Sequence, residues 1–247
     1  MQAVLLAGGK GTRLRPFAAS FPKPLVPLGD KPVLEILIRQ LREAGVDRIV
    51  LAVGHLASLI EAYFQDGAAL GVSIRYHREA EPLGTAGPLA GIPDLDDHFL
   101  VLNGDLLTDM DFRRLYATHR DSGALLTVGR FRVEHRVDLG VIRTDAAGFL
   151  TAYDEKPILH YEVSMGAYAM SREVVERWLE PGRRRDMPEL LLSIVDAGRP
   201  VATMLHEGFW LDIGRPDDYA RAQDMFEKEP SLFLGTAPSS VSGTGPS

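Results

Sequence analysis

Short apolar runs alternate with amphipathic helical stretches through the amino-terminal half, and this alternation restricts the fold more than any other feature. Residues 2–6, 48–53, 72–76 and 99–102 are apolar runs of strand length. Between them, residues 32–44 place Leu34, Leu37, Ile38 and Leu41 on one helical face, and Leu56, Leu59, Ile60, Tyr63 and Phe64 stripe a second helix. Gly45 stands where a helix would be stopped by a left-handed residue. Strand–helix alternation implies parallel strands joined by right-handed crossovers, with helices on both faces of the sheet. The second half is richer in strands, expected at 124–131, 140–143, 149–153 and 163–170, with a turn at 145–148. Helices are expected at 172–179, 188–197 and 216–226, the last two beginning with proline at a position that suits it. Residues 1–228 are expected as one α/β domain, and 229–247, dominated by Gly, Ser, Thr and Pro, as a disordered tail.

A chain of 247 residues can bury one such core. Its formal charge of −7 argues against a nucleic-acid partner, although local clusters of Arg, Lys and backbone amides hold phosphate on acidic proteins. The absence of cysteine excludes disulfides, thiolate metal sites and cysteine nucleophiles, and fits a reducing cytoplasm. No basic segment precedes the first apolar run, and glycines end it, so it reads as a buried strand and not a signal peptide. No run approaches the roughly 20 apolar residues of a membrane helix. A cytoplasmic protein with no membrane partner is expected.

The stretch Leu5-Leu6-Ala7-Gly8-Gly9-Lys10-Gly11-Thr12-Arg13-Leu14 carries the most chemistry. A buried strand enters a glycine-rich loop whose bare N–H groups form a cradle for phosphate oxygens, and Arg13 adds a charged fork. It is neither a Walker A motif nor a GxGxxG fingerprint. In Phe21-Pro22-Lys23-Pro24-Leu25, flanking prolines fix the backbone of a lysine and lower the entropy lost when its ammonium meets an anion. Each element also has a plain structural reading: a turn for Gly8 to Gly11, a solvated loop for Lys23, caps for Asp105 and Asp212, and a surface pair for Glu155 and Lys156. The seven histidines show no paired ligand spacing, most of them are expected at the surface or at strand edges, and Arg183-Arg184-Arg185 is expected in a solvated loop.

Taken in order, LAGGKGTRLRP, FPKPLVPLGDKP, EPLGTAG at 81–87, NGD at 103–105, EKP at 155–157 and WLDIG at 210–214 resemble the signature blocks of the sugar-1-phosphate nucleotidylyltransferases. The likeness runs from Gln2 to about Tyr219. It implies a single-domain Rossmann-like nucleotidyltransferase fold, with a mainly parallel central sheet and a strand-rich sugar-binding half. It also implies transfer of a nucleoside monophosphate from a nucleoside triphosphate to a sugar 1-phosphate, with release of pyrophosphate. By the same resemblance Leu6, Ala7, Gly8, Gly9, Gly11, Thr12, Arg13, Glu81, Gly84 and Thr85 would hold the nucleotide. Lys23, Asn103, Gly140, Glu155, Lys156 and Gly166 would hold the sugar phosphate. Arg13 and Lys23 would act in catalysis, and Asp105 and Asp212 would bind Mg²⁺, an ion satisfied by one or two carboxylates with water and phosphate oxygens. The family is often oligomeric, which leaves a homo-oligomer open.

The form Gly84-Thr85-Ala86-Gly87 most resembles guanylyltransferases for mannose or heptose phosphates. The chain is short for the left-handed β-helix domain that mannose-1-phosphate guanylyltransferases append, whereas short heptose-1-phosphate enzymes lack it. GTP with mannose- or heptose-1-phosphate is therefore favoured, with thymidylyl or uridylyl transfer to glucose-1-phosphate as the alternative. Two readings of another kind compete: a catalytically silent regulatory homologue that binds nucleotide sugars, and a glycosyltransferase using Asp109-Met110-Asp111 as a metal motif. A silent homologue should have lost the arginine, the lysine or a metal carboxylate, and this chain keeps them all.

Overall fold

The computed structural model describes residues 1–9 and 21–234. The strands are β1 (Gln2–Ala7), β2 (Pro27–Leu28), β3 (Lys31–Pro32), β4 (Arg48–Val53), β5 (Ser73–Arg78), β6 (His98–Asn103) and β7 (Leu106–Thr108) in the first half. The second half adds β8 (Leu126–Arg136), β9 (Val141–Thr144), β10 (Leu150–Asp154), β11 (Ile158–Ser171), β12 (Val201–His206) and β13 (Trp210–Asp212). The helices are α1 (Val33–Glu43), α2 (Ala57–Phe64), α3 (Phe112–Ser122), α4 (Arg172–Trp178), α5 (Met187–Asp196), α6 (Pro216–Lys228) and α7 (Pro230–Leu234). None of these is long and apolar enough to cross a membrane.

Among the described residues one seven-stranded sheet runs in the order β12-β8-β11-β6-β1-β4-β5. Parallel pairing joins β6 to β1, β1 to β4, β4 to β5 and β8 to β12, while β11 runs against both β6 and β8. The sheet is therefore mainly parallel with one reversed strand. The reversal follows from local connection: β8 returns to β11 through the β9–β10 ribbon, and a return of this kind favours antiparallel pairing.

The strands are apolar on successive residues because both faces are covered. Ala3, Leu5 and Ala7 of β1 join Leu34, Leu37 and Leu41 of α1 and Ile60 and Phe64 of α2 in one cluster. Val4 of the same strand packs on the other side with Val174 of α4 and Leu190 and Ile194 of α5. A third cluster gathers Leu107, Leu211, Ala222, Phe226 and Phe233, and fixes β7, β13, α6 and α7 beside the sheet.

Three expectations change. In α2 only Ile60 and Phe64 are buried, and Leu59 and Tyr63 are exposed, because a helix of 8 residues seats only a narrow stripe. The folded chain passes residue 229: α7 is helical, and Phe233 lies buried against Phe226 and Phe209 at ring distances of 6.0 and 5.4 Å. Its Leu-Phe-Leu run supplies an apolar anchor within a polar tail; residues 235–247 lie outside the described residues.

The third concerns His119, which is 1% exposed and not at the surface. Its Nε2 lies 3.0 Å from Nδ1 of His98 and its Nδ1 lies 3.2 Å from the Thr127 hydroxyl, while Ser171 Oγ meets His98 Nδ1 at 3.3 Å. Burial, with His98 and Arg120 close by, lowers its pKa from 6.5 to about 4. The unfolded chain then takes up a proton near pH 6.5 that the folded chain refuses. Stability contributed by neutral His119 is present above that pH and is lost as pH falls towards 4. The expected loss over that window is roughly 3 kcal/mol. Urea denaturation at pH 7 and pH 5 checks this: the drop in unfolding free energy shrinks in His119→Gln if His119 is the source.

Candidate active site

The chain order of the sheet places a site before any side chain is considered. From β1 the chain moves outward to β4 and β5, then returns to the opposite side of β1 as β6. Loops leaving β1 and β6 therefore diverge, and the crevice between them at the carboxyl ends is where open α/β sheets bind ligands. Leu6 and Asn103 are register partners at this point, and the Gly104 N–H donates to the Leu6 carbonyl at 3.0 Å. Gly8 and Gly9 follow on one side and Asp105 on the other.

Asp212 reaches Asp105 through a two-strand ladder. β13 pairs antiparallel with β7, setting Asp212 opposite Leu106, and the Ile213 N–H meets the Asp105 carbonyl at 3.4 Å. Lys23 arrives from a third direction, at the head of the 3₁₀ turn Lys23–Leu25. Pro24 and Leu25 are buried anchors of that turn, and the Leu25 N–H donates to the Pro22 carbonyl at 2.9 Å. The Lys23 ammonium is ion-paired to Asp105 Oδ2 and lies 3.7 Å from Asp212 Oδ1, with the lysine side chain 11% exposed. One cation thus touches both carboxylates, which shows that they share a single focus.

The opposite wall comes from the segment after β5. The Glu79 N–H donates to the Val53 carbonyl at 2.8 Å, and its side-chain Oε2 accepts from the Leu83 N–H at 3.0 Å. Its carboxylate covers Gly8, where any Cβ would collide with Oε1. Burial raises the Glu79 pKa, only partly offset by the Leu83 hydrogen bond. Gly84 has φ +81°, and a Cβ there would stand 2.5 Å from the Arg185 carbonyl oxygen, so both conformation and space demand glycine.

These parts enclose a cleft of about 380 Å³ lined by Leu6, Gly8, Gly9, Lys23, Glu79, Pro82, Gly84, Thr85, Asn103, Asp105, Asp212 and Gly214. Nine residues singled out from the sequence therefore meet in one cavity: Leu6, Gly8, Gly9, Lys23, Gly84, Thr85, Asn103, Asp105 and Asp212. Ala7 is buried in the sheet beneath it. Gly166, at φ +74°, sits against the Asn103 amide, where a Cβ would collide, and so supports a lining residue from behind. Gly140, Glu155 and Lys156 lie on the exposed ribbon around β9 and β10 and do not line the cleft; Tyr153 Oη donates to Glu155 Oε2 at 3.0 Å. Glu81 is exposed and also outside the lining. Gly11, Thr12 and Arg13 lie outside the described residues.

Sequence reasoning missed Glu79 and gave no site role to Pro82 and Gly214, although both stand in the blocks EPLGTAG and WLDIG. Glu79 directly follows a strand, as Asp105 nearly does, and the strand-end argument applied to β5 would have found it. The pair Asp109 and Asp111 is committed to structure. Asp111 caps α3 by accepting from the Arg113 and Arg114 N–H groups at 2.9 and 3.1 Å. Asp109 Oδ1 accepts from the Phe209 N–H at 2.7 Å and contacts His206 Nε2 at 2.8 Å. Arg183 and Arg184 are exposed, as a solvated loop requires, and only the Arg185 side chain turns inward, hydrogen-bonded to Ser193 and to the Trp178 carbonyl.

Among the described residues no cluster of three or more His, Asp or Glu could hold a metal alone. Asp105 and Asp212 supply hard oxygen donors at one focus, the set that fits a Mg²⁺ ion whose other positions go to water and phosphate.

The family profile described as nucleotidyl transferase matches residues 2–229. The UTP–glucose-1-phosphate uridylyltransferase of Synechocystis sp. is 38% identical over 242 residues, covering 90% of this chain and 62% of that protein. The mannose-1-phosphate guanylyltransferase of Mycobacterium tuberculosis is 34% identical over 249 residues, covering 97% of this chain and 66% of its own length. The chain thus spans just under two thirds of these curated relatives. The crystal structure of HddC from Yersinia pseudotuberculosis complexed with GMP-PN superposes with a TM-score of 0.71 at 26% identity, over 91% of this chain and 99% of that one. Sequence match, fold and the convergence of the signature residues together place the chain in the nucleotidyl transferase family, among the sugar-1-phosphate nucleotidyltransferases.

Proposed function

We propose that this protein transfers a nucleoside monophosphate from a nucleoside triphosphate to a sugar 1-phosphate and releases pyrophosphate. The observation that carries the reading is the meeting of Lys23, Asp105 and Asp212 across one cleft from Gly8 and Gly9. A phosphate monoester with a second pKa of about 6 is already ionised near neutral pH, so its oxygen attacks the α-phosphorus without a general base. What the site must supply is alignment and charge neutralisation. The Gly8 and Gly9 amides suit triphosphate oxygens, and the Lys23 ammonium suits the phosphate that approaches the same point. Asp105 and Asp212 would hold Mg²⁺, which when bound supplies positive charge against the α-phosphate and the departing pyrophosphate. Arg13, Gly11 and Thr12 would complete the cradle, and Gly140, Glu155 and Lys156 on the ribbon would meet the sugar.

For the base we favour GTP. Guanine offers two adjacent N–H donors on one edge, whereas uracil and thymine offer one between two carbonyls. A carboxylate accepts at both oxygens and suits the guanine edge. Glu79 brings such a carboxylate to the wall of the same cleft, where Oε2 accepts from the Leu83 N–H and Oε1 lies over Gly8. The relatives differ in base: one is by name a guanylyltransferase and another a uridylyltransferase, and HddC was crystallised with GMP-PN. Mannose- or heptose-1-phosphate is the favoured acceptor. Pyrophosphate release measured over a matrix of nucleoside triphosphates and sugar 1-phosphates tests the reading. It should be greatest with GTP and one of these sugars; greatest release with UTP or dTTP and glucose-1-phosphate would reverse the base assignment, and none with any pair would remove the activity.

A further inference from the structure

The loop that forms the outer wall of the cleft is bolted to the amino end of α5, a segment distant in sequence. Backbone bonds make part of this joint: the Ala86 and Gly87 N–H groups donate to the Arg185 carbonyl at 2.9 and 3.0 Å, and the Arg185 N–H donates to the Leu83 carbonyl at 2.9 Å. Side chains complete it at Thr85. The Thr85 N–H donates to Asp186 Oδ1 at 3.1 Å, and the Met187 N–H donates to Thr85 Oγ1 at 2.7 Å. Gly84 is held against the same carboxylate, with Asp186 Oδ1 only 2.6 Å from where a Cβ would stand.

We propose that Asp186 is a positioning residue for nucleotide binding: it touches no ligand itself but fixes Gly84 and Thr85, which line the cleft. Two consequences of the geometry support this role. First, the Met187 N–H takes up a lone pair of the Thr85 hydroxyl, which fixes the oxygen in place and leaves its proton available as a donor. Second, a hydrogen bond to an ionised carboxylate is stronger and more exacting in geometry than one between neutral groups, so the Thr85 N–H is oriented more tightly than a loop amide in water. Asp186 serves the helix as well, forming a capping box with Glu189, whose Oε2 accepts from the Asp186 N–H at 3.1 Å. Helix cap and ligand loop therefore share one side chain, while Glu189 serves the cap alone.

That division supplies the test, which rests on the activity proposed above. Asp186→Ala and Glu189→Ala each remove half of the capping box, and both should lower the melting temperature. Only Asp186→Ala should raise the Kd and KM for the nucleoside triphosphate, by about tenfold, with kcat and the KM for sugar 1-phosphate little changed. Asp186→Asn keeps an oxygen acceptor and should recover most of the affinity. If Asp186→Ala does not fold, Asp186→Ser keeps a helix cap with too short a reach to Thr85 and carries the same expectation. Equal nucleotide affinity in wild type, Asp186→Ala and Asp186→Ser overturns the proposal, as does an equal rise in Glu189→Ala. Wild-type protein that binds no nucleoside triphosphate, measured by calorimetry with Mg²⁺, would instead remove the activity on which the proposal rests.

Discussion

Asp105→Ala is expected to lower turnover by about 10³-fold or more while leaving the fold intact, and Asp212→Ala to do the same. Each carboxylate is one of two at a single focus, and removing either would take away half of the grip proposed for the divalent ion. The loss should fall on kcat, because the charge that the ion balances develops as pyrophosphate departs. Neither change opens a cavity in the core: the Asp105 and Asp212 side chains are 21% and 44% exposed. Each does leave Lys23 with one carboxylate fewer, a modest cost for partly solvated groups. Circular dichroism and thermal melting should therefore stay near wild type while pyrophosphate release collapses. The double variant should be scarcely worse than either single one, since the two residues act as a unit. Turnover near wild type in either single variant, with Mg²⁺ present, would remove the paired-carboxylate account.

Glu79→Gln is expected to cut kcat/KM for GTP by about 10²-fold while changing UTP and dTTP by far less. The amide keeps one acceptor and places a donor where the second had been, so one guanine N–H would face another N–H. Against uracil or thymine the same amide can accept from the ring N–H and donate to a neighbouring carbonyl. Burial raises the Glu79 pKa, so GTP affinity should fall with decreasing pH earlier than an ordinary glutamate, near 4.5, would make it fall. Binding titrations of GTP and UTP across pH 4.5–7.5 check this, and Glu79→Gln should flatten the GTP curve. An unchanged base preference in the variant would assign Glu79 to holding Leu83 alone.

Much of the fold was readable because its strongest elements are apolar and periodic. β1, β4 and β6 carry continuous apolar runs, which two covered faces require, and α1 carries a full stripe. What escaped notice has weak patterning for physical reasons. α3 reads Phe-Arg-Arg-Leu-Tyr-Ala-Thr-His-Arg-Asp-Ser and buries only Phe112, Leu115 and His119, so its polarity hides it. β13 is three residues long and exists through its ladder with β7, a pairing between distant segments that local pattern does not reveal. The site divides in the same way. Gly8, Gly9, Lys23, Asp105 and Asp212 stood out because their motifs are specific, but their meeting at one focus depends on the β7–β13 ladder and on the return of β6 beside β1. Glu79 escaped because a lone glutamate after a strand has no motif. Asp186 escaped because an N-cap aspartate before Met-Pro-Glu is fully explained by its helix.

The account turns on one cleft that holds both phosphates against a divalent ion carried by Asp105 and Asp212. Paramagnetic ³¹P relaxation with Mn²⁺ in place of Mg²⁺, a non-hydrolysable GTP analogue and mannose-1-phosphate measures this most directly. The account predicts strong broadening of both the α-phosphorus and the sugar phosphorus in wild type, and its loss for both in Asp105→Ala. Broadening of the nucleotide alone in wild type, or identical broadening in Asp105→Ala, would contradict it.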